Sequence, residues 1–179
     1  RPEETAEVID ADGWFHTGDL GKLDDDGFLS VTGRLKYLFK LSTGKYVMPQ
    51  PLTDRLEADP LIDTAIVVGS GQKYCTALVF LSNDALMEHY GRADASVLSE
   101  PALETELQQA IATANADMPH WSTIKKAAVV TDVLTMESGE VTPKLSVKRE
   151  AVLQRYQHVL DALYAEGAAP AGAMFVSLD

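Results

Sequence analysis

The chain has 179 residues, 46% of them hydrophobic and 23% charged, with a formal net charge of −12. That balance suits one folded domain, or one domain plus part of another, and excludes an overall disordered chain. The acidity argues against nucleic acid as a partner, because such domains carry a basic face, and reads simply as solubility.

The opening RPEETAEVID has neither an initiator Met nor an apolar leader core, so the chain reads as a fragment that starts inside a longer protein. Residues 13–33, GWFHTGDLGKLDDDGFLSVTG, read as a β-hairpin turning on Asp24-Asp25-Asp26-Gly27. LKYLFKLSTGKYVMP follows as a strand-like run broken by the loop Ser42-Thr43-Gly44-Lys45. Pro49 and Pro51 open a short amphipathic helix, PLTDRLEAD. IDTAIVVG and YCTALVFLS are apolar β-type runs, a buried hairpin or a pair of sheet neighbours. The lone cysteine, Cys75, lies in the second run. It permits no intrachain disulfide and reads as a small buried hydrophobe, in keeping with a reducing cytoplasm.

From 84 to 118 the chain reads as helical. Leu103, Leu107, Ala110, Ile111, Ala114 and Met118 fall on one face, and Asp117 to His120 end it. IKKAAVVTDV is a further strand candidate and MESGE a turn. Residues 149–165 form a second amphipathic helix with Val152, Leu153, Tyr156, Val159, Leu160 and Leu163 inward. The tail, 166–179, has small residues and no period, and reads as loosely held. The fold class is therefore α/β (α+β): a short mixed sheet with helices packed on it, preceded by a β-hairpin. No run approaches the roughly 20 apolar residues that span a bilayer.

Several ordered segments together resemble the carboxy-terminal motifs of long-chain fatty-acid–CoA ligases, members of the adenylate-forming ligase superfamily. They are GWFHTGDLGKLDDDGFLSVTGRLKYLFKLSTGKYVMPQPL, LIDTAIVVGSGQKYCTALVFL, WSTIKKAAVV and GEVTPKLSVKR, spanning residues 2 to 160. The resemblance implies an enzyme that joins a fatty acid to ATP with release of pyrophosphate. The acyl group then passes from AMP to coenzyme A, with Mg2+ arriving on ATP. It also implies that residues 1–33 end a large amino-terminal adenylating domain and that 34–165 form a small lid domain. The phosphate loop and fatty-acid tunnel of such enzymes are missing from this sequence, so the isolated fragment is expected to be inactive. Its partners would be a long-chain fatty acid, ATP, coenzyme A and its own amino-terminal domain. It would act in the cytoplasm, with peripheral contact to a membrane as a further expectation for an oily substrate.

The same resemblance implies site residues. Asp19 would accept hydrogen bonds from ribose hydroxyls, with a local hairpin bond as its plainer reading. Arg34 would reach the nucleotide, and a solvated strand-end arginine is its alternative. Lys36 would be the hinge between the domains, or an exposed strand lysine. Ser42, Thr43 and Gly44 would line the coenzyme A path and Lys45 would meet a phosphate, unless they form an ordinary surface turn. Trp14, Phe15, Tyr37, Phe39 and Phe80 read as packing residues. His16 reads as structural, with no acid partner at suggestive spacing. Glu3-Glu4 and Asp24 to Asp26 read as solvated turns, and no metal site is expected.

The stretch VTPKLSVKR departs from the family pattern Thr-Pro-Thr-Leu-Lys-Val-Lys-Arg. The family's catalytic lysine falls on Ser146, while a lysine stands at 144 instead. In an extended segment 144, 146 and 148 share a face. On one reading Lys144 has taken over the role, with Lys148 the weaker candidate; on another Ser146 marks lost adenylation, since a hydroxyl supplies no positive charge. Two other outcomes stay open: a fatty acyl-AMP ligase that delivers to a carrier protein, and a non-catalytic binding or regulatory module.

Overall fold

A computed structural model describes residues 1–178. The amino-terminal segment holds a short helix α1 (Pro2–Val8) and the antiparallel hairpin β1 (Asp19–Leu23) and β2 (Leu29–Arg34). The turn forms as the sequence predicts. Asp24 Oδ1 accepts from the Asp26 and Phe28 amides at 3.1 and 2.8 Å, and Gly27 sits at φ 86°. Glu3 and Glu4 lie in α1, not in a turn.

A second, very short hairpin, β3 (Phe39–Lys40) and β4 (Tyr46–Val47), frames the loop 41–45. Helix α2 (Gln50–Leu56) follows. The centre is a four-stranded mixed sheet, in the order β5 (Ile62–Val68), β6 (Cys75–Leu81), β7 (Ile124–Val130) and β8 (Ala173–Ser177). β5 and β6 pair antiparallel, β6 and β7 parallel, and β7 and β8 antiparallel. The parallel pair requires a long crossover, which residues 82–123 supply through α3 (Asn83–Tyr90) and α4 (Pro101–Asn115).

Every residue of β6 is buried, which explains its unbroken apolar sequence: helices cover both sheet faces. On one face Ala65, Val67, Ala77, Val79, Ala127 and Val129 pack with residues of α2, α3 and α4, among them Leu52, Leu56, Leu86, Leu107 and Ile111. On the other, Ile66, Leu78, Phe80, Ala128 and Val130 meet Val152, Tyr156, Val159, Leu160 and Leu163. These last residues belong to α5 (Arg149–Arg155), to Tyr156 and to α6 (Gln157–Tyr164).

Three expectations need correction. The helical stretch 84–118 is two helices, because Gly91 caps α3 in the left-handed conformation and Pro101 starts α4 afresh. The helix over 149–165 is interrupted at Tyr156, although its inward face is as read. The tail is not loose. Residues 173–177 form β8, Val176 is fully buried, and the Leu178 amide donates to Lys125 O at 3.0 Å. Without β8 the β7 edge would present unpaired backbone groups.

Candidate functional site

The sequence places Asp19 at the start of β1 and Arg34 at the end of β2, and the hairpin register sets them opposite each other. Arg34 Nε lies 2.8 Å from Asp19 Oδ1, and Arg34 Nη1 donates to Thr17 O at 3.2 Å. A carboxylate and a guanidinium are thus held side by side on a half-exposed edge. Asp19 presents acceptors for hydroxyl groups and Arg34 presents donors for anionic oxygens.

Lys36 follows in a single turn of tighter helix, Leu35–Tyr37, with its Nζ 4.9 Å from the Tyr37 ring centroid. The same ring carries the Arg149 guanidinium at 5.3 Å. Arg149 also donates to Val67 O at 2.5 Å, so it ties three segments together. Burial lowers its pKa, against the opposing pull of Tyr37. Lys36, Tyr37, Val147, Lys148, Arg149 and Glu150 line a cleft of about 430 Å3. Another cleft of about 430 Å3 is lined by Arg55, Leu61, His89, Glu106 and Thr113, and by none of the candidate residues. The cleft beside Lys36 is therefore the better candidate.

None of residues 42–45 lines that cleft. Their loop is closed by the Leu41 amide on Lys45 O and the Gly44 amide on Leu41 O, both at 2.9 Å. Gly44 is needed for its backbone, at φ 86°, since a Cβ there would meet nothing within 4 Å. Lys45 Nζ sits 4.9 Å from the Trp121 ring, and the Ser42 amide donates to Gln72 O at 2.9 Å.

VTPKLSVKR is not extended. Val141 bridges to Val147, the Leu145 amide donates to Thr142 O at 2.8 Å, and the Thr142 amide donates to Ser146 O at 2.8 Å. Pro143 and Lys144 occupy the turn, and Leu145 takes φ 61° after it. Lys144 therefore does not share a face with Ser146 and Lys148. It projects from the tip, while Ser146 lies on the return arm, its amide bonded to Thr142 Oγ1 at 3.1 Å. Lys148 is in the cleft wall.

Two features lay outside the sequence reading. Glu140, just before the hairpin, is 1% exposed and held by Ser138 and Arg155. Tyr37 does more than pack, since it receives both Lys36 and Arg149. The aromatic cluster of that segment was the available signal. Two further readings change. His16 does have an acid neighbour, with Nε2 3.0 Å from Asp10 Oδ2, because the Ile9–Phe15 bridge closes the loop between them. Trp14 and Phe15 are 73% and 63% exposed and do not pack within the described residues. Among those residues no three His, Cys, Asp or Glu side chains gather as a metal site would need. No helix there is long and apolar enough to cross a membrane.

The family described as AMP-binding enzyme C-terminal domain matches residues 38–168. A long-chain-fatty-acid–CoA ligase of Mycobacterium tuberculosis is 36% identical over 171 residues, covering 92% of this chain and 28% of the relative. One from Rattus norvegicus is 32% identical over 191 residues, covering 92% and 26%. The chain thus spans about a quarter of the length of such relatives. Among solved structures, the A domain of a carboxylic acid reductase from Segniliparus rugosus, in complex with AMP and a co-purified carboxylic acid, superposes with a TM-score of 0.76. It is 29% identical and covers 93% of this chain and 26% of that one. The A-PCP didomain of the same reductase, with AMP, gives a TM-score of 0.70 at 29% identity, covering 93% and 22%.

Proposed function

We propose, from the premise that this chain belongs to the family of AMP-binding enzyme C-terminal domains, that it is the lid of a ligase that activates long-chain fatty acids with ATP and passes the acyl group to coenzyme A. Residues 1–33 would end the adenylating domain and the rest of the chain, including β8 of the sheet, would form the lid, with Lys36 at the hinge. A cytoplasmic enzyme in peripheral contact with a membrane suits the oily substrate.

In the first half-reaction a fatty-acid carboxylate oxygen bonds to the α-phosphorus of ATP, and the bond to pyrophosphate breaks. Asp19 would accept from the ribose hydroxyls, Arg34 and Lys45 would meet nucleotide oxygens, and a lysine at the tip of the 141–147 hairpin would stabilise the growing phosphoryl charge. In the second half-reaction the coenzyme A sulfur bonds to the acyl carbon and AMP leaves. Ser42, Thr43 and Gly44 would line the path of that thiol. Magnesium would enter on ATP, with its protein ligands outside this chain.

The observation that carries this reading is the Asp19–Arg34 pair held on the hairpin edge, in a chain whose residues 38–168 match the family; the tight turn leaves Lys144 at the hairpin tip as the lysine to test. The test is fatty-acid-dependent pyrophosphate release by the intact parent and its variants. Lys144→Ala should lower the rate by about 100-fold or more, the scale of losing an electrostatic stabiliser. Lys148→Ala should cost far less.

Ser146 favours a second reading, a non-catalytic module derived from such a lid. A parent that releases no pyrophosphate, yet does so with Ser146→Lys, would establish that reading instead. The likeness to reductase A domains also keeps a carrier-protein thiol in view as the acyl acceptor. Acyl transfer to free coenzyme A decides between the two acceptors.

A further inference from the structure

Between Val130 and Val152 the chain buries one residue, and it is Glu140. Residues 131–148 contain no helix and no strand beyond the Val141–Val147 bridge, and their apolar Val133, Met136 and Leu145 face solvent. Leu134 and Val147 pack, partly buried, against the second face of the sheet. The buried carboxylate of Glu140 adds bonds that leave the segment few alternatives.

Those bonds converge from both ends of the segment. Glu140 Oε1 accepts from Arg155 Nη1 at 2.5 Å and Oε2 accepts from Ser138 Oγ at 2.6 Å. Arg155 lies in α5, beyond the hairpin, and its Nη2 also reaches Asp132 Oδ2 at 3.4 Å. Tyr156 O–H donates to that same Asp132 oxygen at 2.5 Å. The main chain adds the Lys148 amide on Glu140 O at 2.7 Å, which closes the base of the hairpin. The pair joins a buried carboxylate to a half-exposed guanidinium; a buried charge is a poor source of stability compared with apolar packing, and its best-attested use is to select one arrangement.

We propose that Glu140, acting through Arg155 and Asp132, is a positioning residue that fixes the 141–147 hairpin on the lid, whichever residue at its tip meets the substrate. The inference deepens the ligase reading in giving the hairpin a catalytic use, but the positioning itself can be tested without catalysis.

The experiment is amide hydrogen exchange on the 179-residue chain, comparing wild type with Glu140→Gln and Arg155→Lys. Glu140→Gln should speed exchange at Leu145, Ser146 and Lys148 by at least about tenfold while β6 amides keep their protection. Arg155→Lys, which retains a charge, should restore part of the protection relative to Arg155→Met. Unchanged hairpin exchange would overturn the proposal, as would a uniform loosening that includes β6, because that would mark a merely structural residue. In the intact parent, Glu140→Gln should lower the rate of pyrophosphate release without raising the KM for ATP. A parent inactive from the outset would sink the ligase reading and leave the exchange result to decide the positioning role.

Discussion

At the scale of single residues, enclosure and charge compete. Burial alone would push the Glu140 carboxyl up, but the Ser138 hydroxyl, the Arg155 guanidinium and the Thr135 backbone outweigh it and hold the pKa below its usual 4.5. A lowered folded-state pKa means that the folded state binds fewer protons near that value. The stability gained is therefore complete above about pH 4.5 and lost as pH falls through the folded value. Thermal melts between about pH 6 and 3 should fall more steeply for wild type than for Glu140→Gln. Equal slopes would remove Glu140 as the source. Arg155→Met should cost about 1–3 kcal/mol in urea unfolding, because it removes a partner of a buried carboxylate that solvent can replace only in part. Cys75 behaves in the opposite way: burial pushes its thiol up to about 12. It should ignore thiol reagents in the native chain and react fully in denaturant. Its burial was legible in the apolar run around it. The role of Glu140 was not, because GE after a turn reads as solvated and nothing in the spacing says that Arg155 will fold back onto it.

At the scale of elements, the strands of the sheet centre were plain in the sequence, since a segment covered on both faces has to be apolar throughout. Asp19 and Arg34 became a pair only through hairpin register, which fifteen residues of separation do not specify. The helix punctuation at Gly91 and Pro101 was present but hidden by the apolar period running on beyond it. The missed strand, β8, is short, follows an Ala- and Gly-rich stretch, and gains its order from the β7 edge. Deleting residues 171–179 should cost at least about 2 kcal/mol from Val176 alone, plus the lost backbone bonds. Urea midpoints measure the first effect. Light scattering should report more association than the full chain shows, from the freed β7 edge, and a shortened chain with the full chain's association and stability would refute both.

At the scale of the whole molecule, apolar surface is concentrated at the amino-terminal end. Phe28, Leu29 and Val31 of the hairpin are 70%, 69% and 68% exposed, in addition to Trp14 and Phe15. Patches of this kind mark interaction surfaces, and the proposed adenylating domain would cover this one. The isolated chain should therefore self-associate on size-exclusion chromatography. Replacing those three hairpin residues by Ser should reduce association with little change in melting temperature, because none of them is in the core. The place of β8 has a further consequence, for synthesis. The sheet needs residues 173–177 against β7, and those residues leave the ribosome after every other element. A nascent chain that has already made β5, β6 and β7 still carries an open edge, and its parallel β6–β7 pairing is slow to form. Until β8 emerges, the domain would be exposed to mispairing at that edge, and its vulnerability would depend on translation time as well as on equilibrium stability.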